Sequence, residues 1–261
     1  MKFITVAFIF ISFISCRDLS VEKQRQHKEL DIVDQNEENF DFYPTSTTSF
    51  IYVRDAFAFS YDEEHEQSEW IAYYLDASDL VTTNYDRPFF IEDPLVETAS
   101  ADWRNYKKSG YDKGHLCPAG DRKSSYKSYK ETFFTSNISP QKHDFNSGIW
   151  NRLEEKTRYW ALKYNGLYVI TGGVLTGNLK KIGKEKVSVP NYFYKILLTK
   201  DGTKMIAFLV PHESSNLPLY EFVTSVDEVE KVTGIDFFPK LEDSSEGQLE
   251  AKSDYKNWSF N

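Results

Sequence analysis

The spacing of apolar positions changes several times along the chain, and each change marks an element. Phe3 to Ile14 is a mostly apolar run of about 12 residues behind Met1-Lys2. A bilayer-spanning helix needs roughly 20 such residues, so this run fits the apolar core of a secretory signal instead. From residue 17 to about 48 the periodicity disappears. Gln24, Gln26, Gln35, Asn36, Glu37 and Glu38 stand in polar sequence, the pattern of a flexible tether.

From Ser49 strand patterns dominate. Phe50-Ile51-Tyr52-Val53, Ala56-Phe57-Ala58-Phe59 and Trp70 to Leu75 predict the first strands, and Leu167 to Val174, Val189 to Leu198 and Lys204 to Val210 the later ones. Lys200-Asp201-Gly202-Thr203 predicts a hairpin turn between the last two, because Asp-Gly accepts positive φ. Helical spacing shows in Ile149, Leu153 and Trp160-Ala161, which predicts a helix from Asn146 to Tyr164 closed by Asn165-Gly166. A second helix is expected from Ser225, with Glu228 three residues on as a capping box and Gly234 as the stop. From about Glu242 the sequence turns polar and is expected to be a loose tail. Many strands and few helices predict an α+β domain over residues 49–241 with a mostly antiparallel central sheet.

Cysteine usage adds an anchor. Phe13-Ile14-Ser15-Cys16 closes the apolar run and resembles a bacterial lipobox, with Phe13 where Leu is usual. This predicts export across the inner membrane and a lipid on Cys16, which would hold the chain in the periplasm or at the cell surface. A plain signal peptide ending near a chance cysteine is the alternative. With Cys16 lipidated, Cys117 alone keeps a thiol and no internal disulfide can form.

Charge adds a partner class. The chain carries a net charge of −9, yet its basic groups are concentrated. Between Trp103 and Lys163 there are 13 Lys or Arg against 6 Asp or Glu, whereas residues 17–100 hold 6 against 20 and residues 212–261 hold 4 against 11. Screening confines a surface field to about 8–10 Å, so a basic segment in an acidic chain can still hold phosphates. A solvated charged face is the alternative.

The candidate chemistry lies in that same segment. Tyr111-Asp112-Lys113-Gly114-His115-Leu116 is followed by Pro118-Ala119-Gly120-Asp121-Arg122, by Thr135 to Gln141, and by Asn146-Ser147-Gly148-Ile149-Trp150-Asn151-Arg152-Leu153-Glu154. These motifs, in this order and spacing, resemble the DNA/RNA non-specific endonuclease family, the ββα-metal (His-Me finger) nucleases. The family pattern is Asp-Arg-Gly-His, an Asn about thirty residues on, then Trp-x-x-Leu-Glu. Residues from about 50 to 240 carry the resemblance, and Lys113 departs from it where the family has Arg. The positive charge survives there, but the planar fork for bidentate contacts does not.

The residue types make sense for phosphodiester hydrolysis, which needs an activated water, charge neutralisation on the phosphate and help for the leaving oxygen. His115 is the expected general base, since a neutral imidazole accepts a proton near pH 7. Asn146 offers a carbonyl oxygen to a hard cation, and it is also placed to cap a helix. The resemblance makes Asn146 the direct protein ligand of one Mg²⁺, with Mn²⁺ or another divalent cation as alternatives. It also gives Glu154 the role of holding water around the metal, Arg158 a phosphate contact, and Arg87 stabilisation of the transition-state charge. Glu154 and Arg158 can equally form an ordinary i,i+4 ion pair. Asn137 is expected either to act catalytically, by orienting the His115 loop or the phosphate, or to serve a turn. Asp112 is expected to fix the motif's loop. Lys113 and Arg122 are candidate substrate contacts, with Lys123 and Lys127 beside them, and Cys117 is a small buried filler.

The resulting expectation is an endonuclease acting on DNA and RNA without sequence preference, leaving 5′-phosphate and 3′-hydroxyl ends. A catalytically inactive, nucleic-acid-binding surface lipoprotein is the alternative, as is a surface interaction protein built on the same scaffold. His65, among Glu63, Glu64 and Glu66, lacks zincin spacing. Gly172-Gly173 matches neither a P-loop nor a dinucleotide fingerprint.

Overall fold

The computed structural model describes residues 42–260. The signal run, Cys16 and the tether as far as residue 41 lie outside the described residues. Residues 42–48, expected to belong to the tether, are part of the folded domain. Phe42 packs on Tyr168 with ring centroids 4.6 Å apart, and Thr45 accepts the indole N–H of Trp70 at 3.0 Å through its carbonyl.

Seven strands form one antiparallel sheet in the order β1-β2-β3-β6-β9-β10-β11. β1 is Tyr52–Val53, β2 Ala58–Asp62, β3 Gln67–Leu75, β6 Leu167–Gly173, β9 Tyr192–Thr199, β10 Met205–Pro211 and β11 Val223–Thr224. Two short pairs stand apart from it: β4 (Asp112–His115) with β5 (Ile138–Gln141), and β7 (Lys180–Ile182) with β8 (Val187–Val189). Among the described residues the α-helices are α1 (Tyr126–Glu131), α2 (Asn151–Lys163), α3 (Val226–Thr233) and α4 (Asp243–Glu250).

β3, β6, β9 and β10 are buried along nearly their whole length because both faces of the sheet are covered. On one face α2 lays Leu153, Trp160 and Ala161 against Tyr73, Val169, Leu197 and Phe208. On the other, α3 buries Val226 and Val229, and Phe237 meets Tyr194 with ring centroids 5.4 Å apart. The expected hairpin between β9 and β10 is present. Gly202 takes φ 66° there, and Asp201 accepts the Thr199 hydroxyl at 2.6 Å and the Thr203 amide at 3.1 Å.

Helix α2 starts five residues later than the apolar spacing predicts. Residues Phe145–Trp150 form a wider turn, kinked at Gly148 (φ −103°, ψ −107°), before the regular helix begins. Its end is as expected: Asn165 and Gly166 take φ 57° and 114°, and the Gly166 amide returns to the Ala161 carbonyl at 2.9 Å. Helix α3 begins at Ser225, whose hydroxyl accepts the Glu228 amide at 3.2 Å, and ends at Gly234 with φ 75°.

The polar C-terminal segment is not a loose tail. It carries α4 and then returns Trp258, which is 4% exposed, to the core. Trp258 meets Trp160 edge-on at 5.0 Å, and the Trp160 indole donates to the Ser259 carbonyl at 2.9 Å. Polar composition hid this because three spaced aromatics, Tyr255, Trp258 and Phe260, suffice to seal the exposed side of Trp160. No helix among the described residues is long and apolar enough to cross a membrane.

Candidate active site

The β4–β5 pair and α2 form a ββα unit on the flank of the large sheet. Gly114 sits opposite Ser139 and His115 opposite Ile138. A Cβ at Gly114 would lie 2.2 Å from the buried Gln141 side chain, so any larger residue there would have to displace it. β4 presents His115 at its end.

A cleft of about 230 Å³ opens where β4 ends. It is lined by His115, Pro118, Ala119, Gly120, Asn146, Asn151, Glu154 and Arg158. His115 is half-buried, its ring between Phe90 at 5.5 Å and Phe133 at 5.2 Å. Nε2 is buried with no hydrogen-bond partner among the described residues, so Nδ1 is the nitrogen left to face the cleft. Burial in this aromatic slot, helped by the positive charge of Arg87, pushes the imidazole down to about 3. The ring is therefore neutral and able to accept a proton at neutral pH.

Asn146 is held by its amide. Nδ2 donates to Asp112 Oδ2 at 3.2 Å, and the same carboxylate oxygen lies 2.9 Å from His143 Nδ1. With Nδ2 committed, the amide oxygen is the atom left for a cation. Asp112 thus steadies an amide 34 residues away rather than its own loop.

Glu154 lies two turns further on, half-buried on the wall of the cleft. Burial and the Asp121 charge raise its carboxyl, while Lys195 and Arg158 act against the rise. Lys195 is fully buried behind it, with Nζ 5.0 Å from the Trp150 ring and no hydrogen-bond partner among the described residues. Arg158 donates to Asp121 Oδ1 at 2.9 Å, and Asp121 also accepts the Tyr73 hydroxyl at 2.9 Å. That anchor fixes one edge of the guanidinium and leaves its other donors at the cleft.

Arg87 and Lys113 are outside the cleft lining, on an aromatic shelf beside His115. The Arg87 guanidinium lies 5.5 Å from the Phe133 ring and the Lys113 ammonium 5.2 Å from the Phe90 ring. The structure thus gathers His115, Asn146, Glu154 and Arg158 in one cleft and places Arg87 and Lys113 on its rim.

Two expected site residues are elsewhere. Asn137 is fully buried. Its Oδ1 accepts the Cys117 amide at 2.8 Å, and Nδ2 donates to the carbonyls of Cys117 and Thr132, each at 2.9 Å. It fixes the segment after His115, which is the loop-orienting role expected of it, but it lies outside the cleft and has no route to a phosphate. Arg122, expected to touch substrate, is 6% exposed. It donates to the Tyr74 carbonyl at 3.0 Å and to Asp79 at 3.2 Å, and it lies 4.7 Å from the Tyr73 ring. Its charge is spent joining the 119–122 turn to the sheet. Of the other candidate cations, Lys127 pairs with Asp55 at 2.5 Å.

Asn151 and the turn Pro118-Ala119-Gly120 line the cleft although the sequence motifs that contain them assign them no role, and Lys195 lies outside those motifs altogether. Asn151 sits between the metal-ligand candidate and the glutamate, a position the motif itself could have flagged. Lys195 carried no signal beyond a lysine inside an apolar strand.

Residues 39–244 match the model of the DNA/RNA non-specific endonuclease family. The chain belongs to this family. Its resemblance to individual members is spread over most of the sequence. The mitochondrial nuclease EXOG of Danio rerio is 37% identical over 202 residues, covering 70% of this chain and 59% of that protein. Human EXOG is 34% identical over 230 residues, covering 80% of this chain and 62% of that protein. The chain thus spans about three fifths of the length of these relatives. Nuclease C1 of Cunninghamella echinulata is 32% identical over 215 residues, covering 75% of this chain and 85% of that protein. A chain of the solved EndoG/EndoGI complex superposes with a TM-score of 0.69 at 27% identity, covering 74% of this chain and 86% of that one. Members of the family are divalent-metal-dependent nucleases, and the α+β fold with a mostly antiparallel sheet is common to this chain and EndoG.

Proposed function

We propose that this chain is a divalent-metal-dependent endonuclease that hydrolyses DNA and RNA phosphodiester bonds, leaving 5′-phosphate and 3′-hydroxyl ends. The observation that carries the proposal is the single cleft in which a neutral histidine, a free amide oxygen, a half-buried carboxylate and an arginine converge. Family membership supports the same reading.

The residues divide the work by their chemistry. His115 Nδ1 takes a proton from the attacking water, a step that needs a neutral ring and a nitrogen open to the cleft. Arg158, held by Asp121, binds a phosphate oxygen. Arg87 on the rim adds positive charge as the transition state gains negative charge. Asn146 through its amide oxygen, with Glu154 beside it, would hold a Mg²⁺-type ion, which supplies charge neutralisation at the phosphate and the leaving oxygen. Asp112 accepts from the Asn146 amide nitrogen and so leaves the amide oxygen as the atom that would hold the ion. Contacts of this kind are to phosphate and carry no direct sequence information, so little base preference follows.

The test is nicking of supercoiled plasmid by residues 17–261 with Mg²⁺, with EDTA, and with His115→Ala. Cleavage that needs metal and disappears in the variant supports the assignment. Wild-type cleavage by His115→Ala removes His115 as the base. No cleavage by folded protein favours a nucleic-acid-binding role.

For location we propose export and a lipid on Cys16, on the strength of the Phe3–Ile14 run and the Ser15-Cys16 edge. The mass of the mature N-terminus tests it, since an unmodified Cys16 is incompatible with the anchor.

A further inference from the structure

On the sheet face opposite the cleft, three carboxylates from two helices meet. Asp227 and Glu230 lie three residues apart on α3, and Glu250 is the last residue of α4. One carboxylate oxygen from each lies within 4.8 Å of the others. Glu250 is 6% exposed, and its Oε1 is buried without a hydrogen-bond partner among the described residues. A buried acceptor with no donor is costly and calls for a positive partner.

The local electrostatics sharpen the demand. The four charged groups that act most on Glu250 are Glu230, Glu246, Asp227 and Asp236, all carboxylates. Burial first, and then these charges, push the Glu250 carboxyl up to about 8. Glu250 also ends its helix, where the backbone dipole is negative and adds to the repulsion. Lys231 on α3 does not relieve it, because its ammonium pairs with Glu228 at 3.0 Å. One oxygen of Glu230 is spent on the Phe237 amide at 2.8 Å, which fixes that carboxylate and leaves its second oxygen available.

We propose that Asp227, Glu230 and Glu250 form a cation site of the calcium type, separate from the catalytic cleft, that clamps α4 onto α3. Ca²⁺ takes six to eight oxygens in flexible geometry and is well matched to three carboxylates completed by water, whereas Mg²⁺ demands a stricter octahedron. The role is structural. Helix α4 has the sequence Asp243-Ser244-Ser245-Glu246-Gly247-Gln248-Leu249-Glu250, and serine and an internal glycine make it a weak helix former. An ion at Glu250 would tie its last turn to α3 and thereby steady the chain that leads to Trp258.

The experiment is hydrogen–deuterium exchange over residues 243–258, with 5 mM Ca²⁺ or with chelator, in the Asn146→Ala background. That variant removes the candidate catalytic ligand, so binding there cannot produce the signal. Open sites of this kind have Kd values of roughly 10⁻⁴–10⁻³ M, so the segment should exchange about tenfold more slowly in calcium. The slowing should vanish in Glu250→Gln and in Asp227→Asn, and both variants should still nick plasmid in the Asn146 wild-type background. Equal exchange with and without Ca²⁺ would mean that Glu250 simply holds a proton, and would overturn the site. Slowing that persists in both variants would move the ion elsewhere and overturn it as well.

Discussion

Replacing Asn137 separates a positioning role from a catalytic one. The side chain makes three hydrogen bonds of 2.8, 2.9 and 2.9 Å in a fully buried position. Asn137→Ala leaves the Cys117 amide without an acceptor, a desolvation cost of about 1–3 kcal/mol. The carbonyls of Cys117 and Thr132 each lose a donor, worth roughly 0.5–1.5 kcal/mol apiece. The sum is a destabilisation of about 2–6 kcal/mol, read as a shift of the urea midpoint at unchanged slope. The variant's kcat/KM, measured well below its unfolding midpoint, should fall because the segment 115–117 loosens around His115. A hundredfold loss of kcat with a stability change below about 1 kcal/mol would refute the reasoning, since removing buried hydrogen bonds cannot be that cheap. Asn137 would then have to act on the substrate itself.

The remaining predictions concern charge, pH and the C-terminus. The folded-state value of His115, about 3, lies below the usual 6.5, so the unfolded chain binds the proton more readily. Its contribution to stability is whole above pH 6.5 and is lost as the pH falls towards 3, so wild type should lose more stability than His115→Gln on acidification. Parallel urea midpoints for the two would contradict this. Arg122→Met should destabilise by roughly 2–4 kcal/mol by leaving Asp79 and the Tyr74 carbonyl short of a donor. The salt dependence of DNA binding should not change in Arg122→Met, whereas Lys113→Ala should lower the salt slope by about one phosphate contact. The reverse pattern would restore Arg122 as a substrate contact. Trp258→Ala should cost about 3–5 kcal/mol, because its ring seals Trp160 and Tyr164. A change under about 1 kcal/mol by thermal or urea unfolding would return the C-terminus to the status of a tail.

The sequence alone determined what depends on local rules. Strand and helix periodicity located the long strands of the sheet, α2 and α3. Asp201-Gly202 and Asn165-Gly166 marked a turn and a helix end because only certain residues accept positive φ there. Motif order placed His115, Asn146 and Glu154 in one family pattern, since their spacing is read directly from the chain. Tertiary structure decided everything that depends on what lies opposite. The four-residue strands β4 and β5 are too short for a periodicity signal, and they exist because they pair with each other. Arg122 and Arg158 look equivalent as sequence, but one points under the 119–122 turn and the other into the cleft. Asn137 resembles a site residue and is a buried clamp, because Cys117 and Thr132 surround it. Burial also decides the charge states: a histidine in the sequence has an ordinary pKa until Phe90, Phe133 and Arg87 close around it. The same holds for Glu250, a carboxylate in a polar stretch that only the packing of α4 on α3 turns into a demand for a cation.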